Sequence, residues 1–137
     1  MRNATPTITI PTSAEAYEAA IEGLTALDVL LIRAGRYPSI YRAGVQYRRE
    51  ARDTWRHVAD VIRLGGGDCE DLSAARAAEL RVSGIDPGAY VHVYRSGPQR
   101  YHAVVGRSDG TVEDPSWILG MKTREQWRPL ERVGGRA

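Results

Sequence analysis

Gly65-Gly66-Gly67-Asp68-Cys69-Glu70-Asp71-Leu72-Ser73 is the stretch on which the reading of this chain turns. It holds the only cysteine among 137 residues. Glycines at 65–67 let the backbone turn sharply and approach other groups closely. Asp68 is a suitable helix N-cap, and Glu70 and Asp71 put acid in the first turn. Strong helix formers run from Cys69 to about Val82, and Gly84 is a fitting stop. The spacing therefore predicts a helix that opens at Cys69. Its many alanines predict close packing on several sides, at the centre of the domain.

A thiol in a first helical turn gains from the positive end of the macrodipole. Asp68, Glu70 and Asp71 oppose this by favouring the neutral thiol. A thiolate at Cys69 thus needs a cationic partner such as an imidazolium. Tyr101-His102-Ala103-Val104-Val105 and Thr111-Val112-Glu113-Asp114-Pro115 read as strands, joined by the turn signal Ser108-Asp109-Gly110. Alternation puts His102 with Val104 and Val112 with Asp114, so both polar residues are expected to face the cysteine helix. His92, on the preceding strand, alternates with Val91 and Val93 and reads as an outer-face residue.

These blocks, Gly67-Asp68-Cys69-Glu70-Asp71-Leu72, then Tyr101 to Val105, then Asp109-Gly110 through Asp114-Pro115-Ser116, resemble the transglutaminase-like superfamily of cysteine proteases and acyltransferases. Small bacterial and phage-borne members are the most similar, and Val45-Gln46-Tyr47 and Trp55 look like their approach to the cysteine. The resemblance covers roughly Tyr41 to Met121. It implies a papain-like core and a Cys69-His102-Asp114 triad. Cys69 would be the nucleophile, His102 the base and later the acid, and Asp114 the group that orients the imidazole. The reaction would be acyl transfer at a peptide or isopeptide amide of a protein or peptide substrate, without metal or cofactor. For the oxyanion, the Cys69 backbone N–H is one expected donor, Gln46 the first choice for the second and Trp55 the next. Asp68 adjoins this substrate-binding group as the cap.

Other readings stand beside this one. A lone cysteine is often a small buried hydrophobe. Zinc held by Cys69, His92 and His102 is disfavoured because no CxxC or HxxxH pairing accompanies them. A non-catalytic structural or binding protein that keeps the fold, such as a component of a phage particle, is the alternative to the enzyme. Phage structural proteins would then be its partners.

The rest of the chain fits one soluble α+β domain over 1–137, with a helical first half and a three-stranded antiparallel meander. Apolar content of 42% and charged content of 26% are those of a globular protein, and a net charge of +2 does not demand nucleic acid. One cysteine fits a reducing compartment. No apolar run is long enough to cross a bilayer and no secretory signal opens the chain, so a cytoplasmic or virion-associated protein is expected.

Residues 1–12 read as an extended arm or edge strand, and 129–137 as a flexible tail. Ser13 is expected to cap a helix to about Arg33, with Gly35 past its end and Tyr17, Ile21, Leu24, Leu27 and Leu31 on its apolar stripe. A second helix is expected from about Arg52 to Leu64, with Trp55 on its core side and His57 on the surface. Thr123 could cap a short helix through Trp127. Arg42, Arg48, Arg49, Arg52 and Arg56, interleaved with Tyr41, Tyr47 and Trp55, could bind phosphate or a single strand. A solvated face paired with Glu50 and Asp53 is the preferred reading.

Overall fold

The structure, a computed structural model, describes residues 13–49, 54–98 and 100–122. The expected arm at 1–12, short helix at 123–127 and tail at 129–137 lie outside these residues. Helix α1 spans Ala14–Gly35, and the Ser13 hydroxyl caps it by accepting from the Ala16 N–H at 3.1 Å. It ends two residues later than the sequence suggests. Gly35 is still helical, and Arg36 takes the left-handed turn at φ 55°. A Cβ on Gly35 would lie 2.6 Å from the Tyr37 ring, so the glycine makes room for that ring to fold back.

A 3₁₀ turn at Ile40–Arg42 leads to the short strand β1, Gln46–Tyr47. Helix α2 covers only Val58–Leu64. The expected start at Arg52 falls outside the described residues, and 54–57 are not helical. The reason lies in two buried carboxylates on other elements. Asp71 accepts the Arg56 N–H at 2.8 Å, and Asp28 accepts the Val58 N–H at 2.8 Å. These bonds hold the segment in a loop. His57 is the N-cap, its Nδ1 accepting from the Asp60 N–H at 3.4 Å.

Strand β2, Gly66–Gly67, pairs in parallel with β1, and α3 follows at Cys69–Ser83. Strands β3 (Tyr90–Gly97), β4 (Arg100–Gly106) and β5 (Val112–Glu113) form an antiparallel sheet in that order, and α4 spans Pro115–Ile118. The molecule is thus mixed α+β, with the predicted meander and a small parallel pair besides. No helix among the described residues is long and apolar enough to cross a membrane.

Helix α3 is the buried centre. On one side, Ala74, Ala77 and Leu80 cluster with Ile21 of α1, Val91 and Val93 of β3, and Ala103 and Val105 of β4. On another, Leu72, Ala75 and Ala78 cluster with Ile40, Val45, Val58 and Val61. Alanines allow this two-sided approach because they add little radius and lose no rotamer freedom on burial. The stripe on α1 differs from expectation. Ile21, Thr25, Asp28 and Ile32 are buried, whereas Leu27 is 41% exposed. Thr25 is accommodated because its hydroxyl donates to the Ile21 carbonyl at 3.0 Å, and Asp28 because it holds Val58.

Candidate active site

The Gly-rich approach to Cys69 is built from contacts that exclude side chains. Gly65 caps α2 at φ 75°, a conformation that favours glycine. A Cβ on Gly66 would meet the Gln46 carbonyl at 2.9 Å, and one on Gly67 the Asp71 Cβ at 2.9 Å. The chain thus passes tightly between β1 and the start of α3. There Asp68 and Asp71 form a capping box: Asp71 Oδ2 accepts the Asp68 N–H at 3.1 Å, and Asp68 accepts from the first turn.

That cap changes the expected oxyanion site. The Cys69 N–H donates to Asp68 Oδ1 at 2.8 Å, so this donor is already engaged. Gln46 is exposed on β1, where its N–H donates to the Gly65 carbonyl at 3.1 Å. Trp55 packs against the core cluster that contains Cys69, with its ring centroid 5.9 Å from that of Tyr17.

Cys69 itself is buried, at 9% exposure. Its sulfur meets β4 at the strand's edge. The Ala103 N–H acts on the thiol from this edge, the thiol itself donates to Glu70 Oε1 at 4.0 Å, and the Ser73 hydroxyl, one turn along α3, donates to the Ala103 carbonyl at 3.0 Å. The geometry of the sheet explains the vacancy they fill. Val105 pairs with Glu113, and residues two apart on a strand send their polar groups to the same edge. Beyond Glu113 the ladder stops, because Pro115 lacks an N–H and starts α4. Helix α3 therefore takes the place of the missing strand at Ala103.

The same chain turn places Asp114. It is the N-cap of α4, with Oδ1 accepting the Trp117 N–H at 3.2 Å. Its Oδ2 lies 2.8 Å from His102 Nε2, and both residues are buried. The Tyr94 ring stands edge-on to the imidazole, centroids 5.7 Å apart. His102 is thus oriented from two directions.

One expectation about facing is corrected. Ala103 and Val105 share the cluster with Cys69 and the α3 alanines, which puts His102 and Val104 on the other face of β4. The central strand is buried on both faces, so its valines carried no signal of which face met the helix. The structure brings His102 to Asp114 directly, and the Cys69 sulfur to the backbone of the residue beside His102.

Electrostatically, burial pushes the Cys69 thiol well above its usual pKa, and the charges of Glu70, Asp68 and Asp114 add to this. The Ala103 N–H works in the opposite direction and does not prevail. Asp68, Cys69 and Glu70 offer ligand atoms within 4.8 Å of one another, but they are neighbours in sequence at a helix cap. His92 lies apart from them. It pairs with Glu18 at 3.0 Å between Nδ1 and Oε2, half exposed on the outer strand.

Sequence reasoning did not find the contact with Ala103, or the part played by Ser73. Pro115 marks where β5 ends, but which residue of β4 is thereby left to α3 depends on the register across the sheet. Comparison of the chain with protein families, with characterised proteins and with solved structures gives no match.

Proposed function

We propose that this chain is a cysteine-nucleophile acyl-transfer enzyme, a thiol hydrolase acting on peptide or isopeptide amides, with the fold and triad of the transglutaminase-like superfamily it resembles. The observation that carries the reading is the buried His102–Asp114 pair at 2.8 Å, one residue along β4 from Ala103, whose N–H acts on the Cys69 thiol. A carboxylate held on Nε2 makes that nitrogen the proton-bearing one, which leaves the Nδ1 lone pair to act as a base.

Because the thiol rests neutral, it enters the reaction by general-base catalysis rather than as a standing ion pair. The step requires the imidazole, which the resting structure holds on the other face of β4 from the α3 cluster, to reach around the strand edge to the sulfur. There His102 Nδ1 takes the S–H proton as sulfur attacks the amide carbonyl carbon. The tetrahedral oxyanion collapses, the C–N bond breaks, and the imidazolium gives its proton to the leaving amine. Water or a second amine then attacks the thioester, His102 takes its proton, and the thiol is restored. Trp55 is the donor candidate that fits best beside Cys69, since the Cys69 N–H serves the Asp68 cap and Gln46 is exposed.

A second reading, a non-catalytic structural or binding protein such as a phage component, is favoured by one observation: the burial of Cys69 and the upward push on its thiol. Iodoacetamide alkylation at pH 7 separates the two. If His102 serves Cys69 as a base, His102→Ala slows labelling at least tenfold. Equal rates in both proteins, with no turnover of a fluorogenic peptide-amide panel, would establish the second reading.

A further inference from the structure

At the far end of α3 from Cys69 lies a cleft of about 690 Å³ between the C-terminal end of α1, the 3₁₀ turn and the second half of α3. Its α3 residues begin at Arg76, so it stands roughly 10–20 Å along the helix from the thiol. Four arginines line it: Arg33, Arg36, Arg42 and Arg76. Arg76 is committed. It pairs with Glu79 at 2.6 Å and with Glu113 at 2.5 Å, and its guanidinium covers the Tyr41 ring at 4.6 Å. Glu79 is likewise used up, by the Ser39 hydroxyl and the Ile40 N–H. Arg33, Arg36 and Arg42 are exposed and make no ion pair among the described residues. Arg33 complements the negative end of α1. Arg36 is the C-cap of α1 and Arg42 ends the 3₁₀ turn, so both stand at helix C-termini as Arg33 does, but three such cations around one cleft leave it with unpaired positive charge among the described residues.

We propose that this cleft docks an acidic peptide segment of a partner protein, its carboxylates meeting Arg33, Arg36 and Arg42 and its apolar side chains resting on Val82 and the exposed Ile85. The volume is that of a specific ligand site, and a guanidinium matches a carboxylate in two parallel hydrogen bonds. The chain's own ends are poor occupants by charge. Residues 123–137 carry four arginines against two glutamates, and 1–12 carry one arginine and no acid. A single-stranded nucleic acid would need open aromatic faces for its bases. Here Arg76 covers Tyr41, and the Tyr37 ring folds back against Gly35.

The test is fluorescence anisotropy with a fluorescein-labelled hexapeptide alternating glutamate and leucine, and a glutamine-for-glutamate counterpart. The acidic peptide should bind saturably, at least tenfold more tightly than the neutral one, and should weaken as salt is raised. Arg36→Glu combined with Arg42→Glu should reduce affinity at least tenfold, with the far-UV circular dichroism spectrum unchanged at the assay temperature. Arg42→Gln alone, the milder variant, should reduce it severalfold. Equal binding of both peptides, or a charge-reversed variant that binds as well as wild type, overturns the proposal. So does displacement of the peptide by a short oligonucleotide that binds more tightly, which would assign the cleft to nucleic acid. Binding here needs no thiol and is expected unchanged in Cys69→Ala, so failure of this proposal and failure of the acyl-transfer reading are separate results.

Discussion

Asp28 is fully buried on α1, its Oδ1 takes the Val58 N–H, and its Oδ2 has no hydrogen-bond partner. Burial, with a contribution from the charge of Asp71, raises its pKa from 3.8 to about 7, against the pull of the Val58 N–H. The folded protein therefore holds a proton that the unfolded chain has already released above about pH 4. Stability is fully present below the unfolded pKa and is lost as pH rises through about 7. Roughly three units at about 1.4 kcal/mol each amount to about 4 kcal/mol over the whole range, of which the two units between pH 5 and about 7 carry about 2–3 kcal/mol.

Asp28→Asn removes the titration while keeping an oxygen for Val58. Its amide N–H₂ has no acceptor in place of Oδ2, a cost of about 1 kcal/mol that is the same at every pH. Urea unfolding at pH 5 and pH 8 checks the reasoning. The variant should be less stable than wild type at pH 5 and gain about 2 kcal/mol on it by pH 8, about 1 M in the urea midpoint. Comparing variant with parent cancels the pH dependence that the two proteins share. A difference that stays constant within about 0.5 kcal/mol across this range would falsify the account of Asp28 as a strained buried acid.

Other outcomes follow from the same geometry. Cys69→Ala should abolish any amide turnover, yet cost only about 1 kcal/mol in stability, because a small apolar group replaces a small buried one; hydrolysis of a wild-type substrate by this variant would end the thiol mechanism. Asp114→Asn should lower kcat by about 100-fold or more with little change in KM, since it upsets the tautomer of His102 while leaving an oxygen for the Trp117 N–H. Gly67→Ala should destabilise by about 1–3 kcal/mol in thermal melts, because its Cβ would meet the Asp71 side chain at 2.9 Å. A Cys69 alkylation rate in the native protein that rises with pH without a plateau in acid, and exceeds its pH 7 value steeply above pH 9, should accompany the raised thiol pKa.

Much of the architecture was legible in the chain alone, for local reasons. Asp68 and Gly84 bound α3 because a carboxylate answers orphan N–H groups and a glycine tolerates positive φ. The Ser108-Asp109-Gly110 signal set β4 against β5, and that pairing brought His102 within reach of Asp114. Period-two alternation grouped His102 with Val104, but not the direction they face, since a strand buried on both sides looks alike from either. Only the tertiary structure settled that. It also delayed the start of α2 to Val58, because the deciding bonds come from Asp28, 30 residues away, and Asp71, 15 residues beyond Arg56. It buried Cys69, engaged its N–H with the Asp68 cap, and turned its sulfur to Ala103 where β5 gives out. Residue type and spacing encode what a segment can do within a turn or a strand. Which far-off donor or charge it meets is decided by packing, through distances that the order of residues does not contain.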